Sequence, residues 1–178
     1  MLDKSEVQKQ LDKFKAYVIS ESRKNLTNLK KNSSKKLYNS LRGEAKAMPN
    51  SFSMDFFMED YGHFQDKGVS GIVKKYDTPY NYTTKMPPTR SLDKWIVRKG
   101  IAPKQNGKFT GRTISAVGFK KSIQFLIARK IFLHGIKPSL FFTKPFEAAY
   151  KKLPSELVDK FGLDALELFD MTIQQPKI

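Results

Sequence analysis

The chain has 178 residues, of which 33 are basic and 17 acidic, and it contains no cysteine. This length is enough for one domain with a substantial core and short for two ordinary domains. The absence of cysteine excludes disulfides, thiolate metal sites and a cysteine nucleophile. The N-terminus carries a charge every few positions, and no stretch approaches the roughly twenty apolar residues that span a bilayer, so we expect neither a signal peptide nor a membrane helix.

The net charge of +16 is unevenly distributed along the sequence. Basic side chains outnumber acidic ones by 12 to 5 in residues 1–50 and by 16 to 2 in residues 67–137, whereas residues 155–170 carry 1 basic and 5 acidic side chains. Such a basic excess favours a polyanion or an acidic protein surface as the partner. The alternative is a solvated basic surface that keeps the protein in solution.

Residues 5–31 have the pattern of a long amphipathic helix. Its apolar positions advance by four, three and four residues and form a narrow stripe: Val7, Leu11, Phe14 and Val18. A narrow stripe on so charged a helix indicates an element that lies on a surface, so we expect a helical arm over residues 1–33. The four stripe residues are candidate subunit-interface residues, and ordinary packing on the same domain is the alternative.

Residues 51–58 alternate between apolar and polar side chains, which is typical of a half-buried strand. A Met-Pro-Asn turn at residues 48–50 connects it to a strand near residues 44–47. We therefore expect an antiparallel hairpin.

Two polar stretches lack a clear periodicity. Residues 68–88 contain several turn formers and three tyrosines, and their length favours a functional loop or an insertion over core structure. Residues 103–112 contain an Asn-Gly dipeptide, which favours a hairpin tip.

Three helices are expected within residues 91–152. A short helix at residues 91–99, which carries Trp95, ends at a glycine suited to the left-handed conformation. The central helix, residues 113–134, is apolar on more than one side. We therefore expect it to be covered on more than one side, with Trp95 and Phe125 largely buried. A further helix over residues 145–152 begins at a proline.

Residues 155–170 read SELVDKFGLDALELFD and predict an acidic amphipathic helix, opposite in charge to the rest of the chain. We expect it to fold back on its own basic body or to dock on an adjacent copy. Leu166 and Phe169 are further candidate subunit-interface residues, and residues 171–178 are expected to form a tail.

Together these elements predict an α+β fold with a long N-terminal helix. A small, mainly antiparallel sheet within residues 37–60 is expected to pack with the helices in a single core domain over residues 34–170.

The sequence offers few groups for catalysis. Ligand types suited to a divalent metal occur in one region: Asp55, Glu59, Asp60, His63 and Asp66. Asp55 falls on the polar side of the alternating strand and the others fall in a predicted surface turn, so we expect no metal site, no cofactor and no enzymatic activity. The glycine-containing turn at residues 68–71 lacks the Gly-Lys-Ser/Thr of a phosphate-binding loop.

Basic residues interleaved with tyrosines in residues 74–121 favour contacts to phosphates. No recognition-helix or RNA-binding signature accompanies them, which argues against readout of bases. The candidate DNA-facing or partner-facing residues are Lys74, Lys75, Lys104, Lys108 and Arg112. A basic, sequence-independent nucleic-acid-binding protein is therefore one functional hypothesis.

The order of several short motifs carries a resemblance to a known family. These motifs are Pro87-Pro88, Trp95-Ile96, Lys99-Gly100-Ile101, Ile127-Ala128-Arg129-Lys130-Ile131, Gly135-Ile136-Lys137-Pro138 and Phe141-Phe142. In this order they resemble the C-terminal half of the tail-completion, or neck, proteins of tailed bacteriophages. Residues 34–41 are similar to the family's turn into a strand, with Ser34 or Lys35 where glycine is more usual.

The resemblance implies a non-enzymatic structural protein of the virion, assembled in the host cytoplasm, that forms a homo-oligomeric ring at the phage neck. Such a ring joins the portal, or connector, to the tail. Double-stranded DNA passes through its channel with weak, non-specific contacts, and the basic loops face that channel or an acidic neighbouring ring. The implied partners are therefore portal and tail proteins and DNA, without a membrane.

Overall fold

The computed structural model describes residues 4–48, 51–101, 104–105, 108–109 and 116–153. Its helices are α1 (Lys4–Asn28), α2 (Lys36–Ser40), α3 (Tyr61–Lys67), α4 (Asp93–Arg98), α5 (Ala116–His134) and α6 (Thr143–Tyr150), with a 3-10 helix at Thr89–Leu92. Its strands are β1 (Arg42–Ala47), β2 (Phe52–Phe57), β3 (Lys104–Gln105) and β4 (Lys108–Phe109). The long first helix, the antiparallel pair β1–β2 and the other helices make this an α+β protein, as the sequence predicts.

The described chain divides into two compact units. The first combines residues 4–66 with residues 139–153, and the second comprises residues 67–138. The sequence predicts instead one core domain over residues 34–170, preceded by a separate arm. The difference arises because the chain leaves the first unit at the end of α3 and returns to it before α6, and because α1 belongs to the core of the first unit.

The apolar stripe of α1 lies in the core of the first unit. Val7, Leu11, Phe14 and Val18 are each 5% exposed or less, and α1 packs on β1 and α6. The ring of Phe14 meets that of Phe146 edge to face, with the ring centroids 5.4 Å apart. The stripe therefore packs within its own chain, which was the alternative to a subunit interface, and α1 is not a separate arm.

The predicted hairpin is confirmed as β1 and β2, which pair antiparallel over their full length. β1 begins at Arg42, two residues earlier than predicted. The side chain of Gln8 on α1 donates a hydrogen bond to the carbonyl of Ala45 at 2.9 Å and accepts one from the N–H of Ala47 at 2.8 Å. This amide occupies backbone groups that a neighbouring strand would otherwise pair, so α1 covers the edge of the sheet.

Asp66, near the end of α3, fixes the start of α6. Its side chain is 3% exposed, and its carboxylate accepts hydrogen bonds from the N–H of Phe142 at 2.8 Å and from both the N–H and the hydroxyl of Thr143. Its backbone carbonyl accepts hydrogen bonds from the N–H groups of Ser139 and Leu140, each at 3.0 Å. A carboxylate at this position accepts hydrogen bonds from N–H groups that have no partner within the helix. Its negative charge also interacts favourably with the positive end of the helix dipole. α6 accordingly begins two residues before its predicted start.

Residues 68–82 enclose the end of α5 in the second unit. The N–H of Ile72 donates a hydrogen bond to the carbonyl of Phe132 at 3.0 Å, and the N–H of Val73 donates one to the carbonyl of Leu133 at 2.9 Å. These bonds satisfy carbonyls that the last turn of a helix leaves without partners. This part of the predicted functional loop is therefore a hydrogen-bonded element of the scaffold.

Ser70 and Gly135 hold this enclosure together. The buried hydroxyl of Ser70 donates to the carbonyl of Tyr76 at 3.1 Å and accepts from its N–H at 2.9 Å. Gly135 has a φ of 69°, and a Cβ added there would lie 2.0 Å from the carbonyl oxygen of Val69. Space as well as backbone conformation therefore requires glycine at this position.

The contact between α5 and the 3-10 helix with α4 leaves much apolar surface uncovered. Ile96 is buried and Trp95 is half-buried, but Phe125 is 50% exposed. The expectation of a largely buried side chain is therefore wrong for Phe125 and holds only in part for Trp95. α5 buries the face that holds Gln124 and Ala128, and it is not covered on the side of Phe125.

Candidate interaction surfaces

The second unit carries most of the net charge of the protein. Residues 67–138 contain 16 basic and 2 acidic side chains in the sequence, a net of +14. The remaining residues of the chain contain 17 basic and 15 acidic side chains, a net of +2. The division into units therefore coincides with a division by charge, and a cationic surface is expected on the second unit.

Lys74 and Lys75 lie exposed on the segment that encloses the end of α5. The N–H of Lys74 donates a hydrogen bond to the carbonyl of Leu133 at 3.2 Å, which fixes the backbone. Its ammonium group lies 5.4 Å from the centre of the Tyr76 ring, a distance typical of a cation–π contact. These two predicted partner-facing residues are therefore presented to solvent from a well-bonded backbone.

Tyr82 anchors the same segment from within the unit. Its ring meets that of Phe132 edge to face, with the centroids 6.2 Å apart, and its N–H donates a hydrogen bond to the carbonyl of Ser70 at 2.9 Å. Burial raises the pKa of its hydroxyl above the ordinary value for tyrosine. Tyr82 therefore helps to hold this segment against the end of α5.

A basic cleft lies along the 3-10 helix and α4. Its volume is about 850 Å³, and its lining residues are Arg90, Ser91, Asp93, Lys94, Val97 and Arg98. The three cations are spaced by four residues in the sequence and line the same cleft. The Nε of Arg98 donates a hydrogen bond to the carbonyl of Lys94 at 3.0 Å. Three cations in a row suit phosphates or carboxylates, although Asp93 reduces the charge of the cleft.

The cleft was only partly foreseeable from sequence. Its cations fall within the basic stretch over residues 74–121, but the candidate set did not single them out. The spacing of four between Arg90, Lys94 and Arg98 is the signal that distinguishes them.

The hairpin tip predicted within residues 103–112 is confirmed by the antiparallel pair β3 and β4. Lys104 lies opposite Phe109, and Gln105 lies opposite Lys108. The directions of the candidate side chains Lys104 and Lys108 lie outside the part of the chain that the structure describes, and so does Arg112.

α5 presents an exposed apolar pair with cations to either side. Phe125 is 50% and Leu126 is 54% exposed, and the neighbouring turns expose Lys121, Arg129 and Lys130. Sequence reasoning missed this surface because it assigned the apolar residues of α5 to the core. The available signal was a helix with apolar residues on nearly every side and no acidic residue in its sequence.

The candidate subunit-interface residues have two different outcomes. The stripe on α1 is occupied by the core of the first unit, so these side chains offer almost no surface to a second copy. Leu166 and Phe169 lie outside the described residues.

The carboxylates that the sequence offered as metal-ligand types do not converge. Asp66 is buried against Thr143, whereas Asp55 is exposed on β2. Within residues 4–153, where described, no group of three or more histidine, aspartate and glutamate side chains is arranged to hold a metal ion. The described helices also include none that is both long and apolar enough to span a membrane.

Comparison of the chain with models of known protein families, with curated proteins and with solved structures finds no match.

Proposed function

We propose that the protein is a non-enzymatic structural protein of a bacteriophage virion, which forms a homo-oligomeric ring at the neck and joins the portal, or connector, to the tail. It is assembled in the host cytoplasm and becomes part of the virion. The proposal rests on the motif order that resembles tail-completion proteins, and the two-unit structure adds physical support.

The structural observation that supports the proposal is the concentration of charge in the second unit. A net of +14 falls on 72 residues, from Lys67 to Pro138, while the rest of the chain is nearly balanced. In a ring, a repeated cationic unit either lines the channel through which DNA passes or faces an acidic neighbouring ring. Both placements use charge without specific base contacts, because phosphate contacts position a nucleic acid but do not read its sequence.

The residues that carry the resemblance have structural roles in the fold, which is what a joining protein requires. Trp95 and Ile96 belong to α4, and Gly135 permits the close approach of residues 68–82 to the end of α5. Phe141 and Phe142 are buried in the core of the first unit. Motifs of this kind maintain a scaffold and do not by themselves supply catalytic groups.

Native mass spectrometry and negative-stain imaging of the full chain test the proposal. We expect a closed ring of identical copies, because a joining protein encircles the DNA path. A chain that remains monomeric over a wide concentration range, both alone and with portal or tail proteins, would overturn the assignment.

A second function is favoured by one observation, the exposed cations of the α5 enclosure and the α4 cleft. The protein would then bind nucleic acid by itself, without sequence preference. Each phosphate contact on duplex DNA contributes about −0.9 to the slope of log affinity against log salt concentration. The ring proposal instead predicts weak binding that disappears near physiological salt, since a ring must let DNA slide.

The binding experiment has a matched control. Lys74→Gln with Lys75→Gln removes two exposed cations of the second unit, whereas Lys9→Gln with Lys13→Gln removes two exposed cations from α1. If the second unit contacts DNA, the first pair reduces the salt slope by about 1.8 and the control pair leaves it unchanged. Tight binding by the monomer at physiological salt would place the nucleic-acid-binding function first.

A further inference from the structure

The exposed pair on α5 is a surface that the fold leaves without a partner in the described chain. Phe125 and Leu126 are adjacent, and both keep at least half of their surface in solvent. Adjacent exposed apolar side chains with a charged border are a candidate contact surface. The charged border here consists of Lys121 on one side and Arg129 and Lys130 on the other.

The geometry of α5 defines what a partner must look like. Positions four residues apart lie on the same face and about 6 Å apart along the helix axis. Along the helix axis, the surface therefore consists of one cation, then the apolar pair, then two cations. It extends over about 14 Å from Lys121 to Lys130. A complementary segment has an apolar centre with acidic side chains before and after it, and it is about ten residues long.

The chain itself contains a segment of this chemistry. Residues 155–170 combine apolar side chains with 5 acidic residues and only 1 basic residue. Leu166 and Phe169 are bordered by Asp164, Glu167 and Asp170. The other acidic stretch, residues 51–66, belongs to β2 and α3 of the first unit, with Asp66 buried there.

We propose that residues 155–170 of one copy bind the α5 surface of a neighbouring copy, with Leu166 and Phe169 on Phe125 and Leu126. The neighbouring copy is chosen because this inference rests on the proposed ring, which needs an interface between copies. The stripe on α1 does not provide that interface, since the core of its own unit covers it. At each interface of the ring, the acidic side chains of the segment then lie opposite the basic side chains of α5.

The chain contains no cysteine, which allows a direct test by disulfide cross-linking. One full-length copy carries Leu126→Cys and a second, with a different tag, carries Phe169→Cys. The matched control replaces the first copy with Val97→Cys, because Val97 is 70% exposed and also lies on a helix of the second unit. We expect a mixed disulfide dimer with Leu126→Cys and at least about tenfold less with Val97→Cys.

A chain that carries both Leu126→Cys and Phe169→Cys separates binding within one copy from binding between copies. A bridge confined to single chains, without a mixed dimer, would overturn the choice of the neighbouring copy. Equal cross-linking of the control would overturn the α5 surface, and no cross-linking in any pair would overturn the docking itself.

Charge exchange provides an independent measurement. Arg129→Glu with Lys130→Glu places like charges opposite the acidic segment and is expected to weaken self-association at least about tenfold. Adding Glu167→Lys and Asp170→Lys to the same chain is expected to restore most of it. Failure of the second pair to restore association would overturn the pairing, and unchanged Trp95 fluorescence shows that the second unit stays folded.

The inference and the proposed function fail in distinguishable ways. If the unaltered protein forms rings while the cross-links are absent, the ring stands and the α5 surface is not its interface. If the unaltered protein forms no ring, the proposed function is lost and this inference is lost with it.

Discussion

The two units of this protein differ in how they use apolar and charged residues. The first packs four phenylalanine rings against one another, with the ring centroids of Phe56 and Phe142 5.2 Å apart and those of Phe14 and Phe146 5.4 Å apart. The second has a net charge of +14 and leaves Phe125 half exposed. Burial of apolar surface is the main source of stability, so we assign the stable core to the first unit and the contact surfaces to the second.

The units also differ at the residues with positive φ. Among the described residues, these are Gly68, Gly100 and Gly135 in the second unit, and Lys30, Lys35 and Leu140 in the first. At Gly68 and Gly135 an added Cβ would lie 2.6 and 2.0 Å from a backbone oxygen, so glycine is required by close packing of the backbone. The second unit therefore depends on backbone contacts where the first depends on side-chain packing.

The largest expected effect on stability comes from comparing alanine substitutions of one phenylalanine in each unit. Phe146→Ala empties a buried site in the aromatic cluster and is expected to lower the free energy of unfolding by about 3–5 kcal/mol. Phe125→Ala removes a side chain that is already half exposed and is expected to cost less than about 1 kcal/mol. Urea unfolding followed by circular dichroism measures both. A comparable loss for Phe125→Ala would show that the second unit has a core on that side of α5.

The next effect tests the backbone contacts of the second unit. Gly135→Ala combines a strained φ with a clash against the carbonyl of Val69 and is expected to cost about 3 kcal/mol. Gly100→Ala is the matched control, because Gly100 has a φ of 60° but nothing within 4 Å of the added Cβ. This substitution is expected to lower the free energy of unfolding by about 1 kcal/mol, because only the strained φ contributes.

The only tryptophan, Trp95, lies in the second unit, so its fluorescence reports on that unit during unfolding. A shift of this signal in Gly135→Ala, with a smaller shift in Gly100→Ala, is the expected result. Equal shifts would mean that the enclosure around the end of α5 opens at little cost.

A third effect concerns Asp66, which accepts hydrogen bonds from the segment where the chain returns to the first unit. Asp66→Ala leaves the N–H groups of Phe142 and Thr143 without their acceptor and is expected to cost about 2–3 kcal/mol. Asp66→Asn keeps one acceptor oxygen and is expected to cost less. Asp60→Ala, at an exposed carboxylate, is the control and is expected to be nearly neutral. Thermal unfolding compares the three, and a neutral Asp66→Ala would remove this residue as a determinant of α6.

Local patterns in the sequence predicted the elements that local interactions determine. The alternation in residues 51–58 and the turn before it were enough for the β1–β2 hairpin, and the Asn-Gly dipeptide indicated the β3–β4 pair. The extent of α1 was also predicted to within a few residues, because its apolar positions repeat at helical spacing.

The contacts that determine which surfaces are covered join residues that are far apart in the chain, and no local sequence pattern reveals them. Asp66 meets Thr143 across 77 positions, and Gln8 covers the edge of β1 across 37 and 39 positions. Apolar residues look alike in sequence whether they are buried or exposed, so the pattern alone did not decide which apolar faces are covered. The stripe on α1, a candidate subunit interface, lies in the core of its own unit, and α5, expected to be covered on more than one side, leaves Phe125 exposed.

The smallest expected effect tests the residues with positive φ in the first unit. Lys30 has a φ of 54° just after α1, where the N–H of Lys31 donates a hydrogen bond to the carbonyl of Leu26 at 2.9 Å, an arrangement that favours glycine. Lys30→Gly relieves the left-handed strain of about 1 kcal/mol but increases the entropy of the unfolded chain, so a net gain of about 0.5 kcal/mol is expected. Lys24→Gly, inside α1, is the control and is expected to cost about 1 kcal/mol. Equilibrium unfolding in urea measures whether each substitution raises or lowers the free energy of unfolding. A decrease for Lys30→Gly would mean that the lysine side chain stabilises the first unit by more than the strained backbone destabilises it.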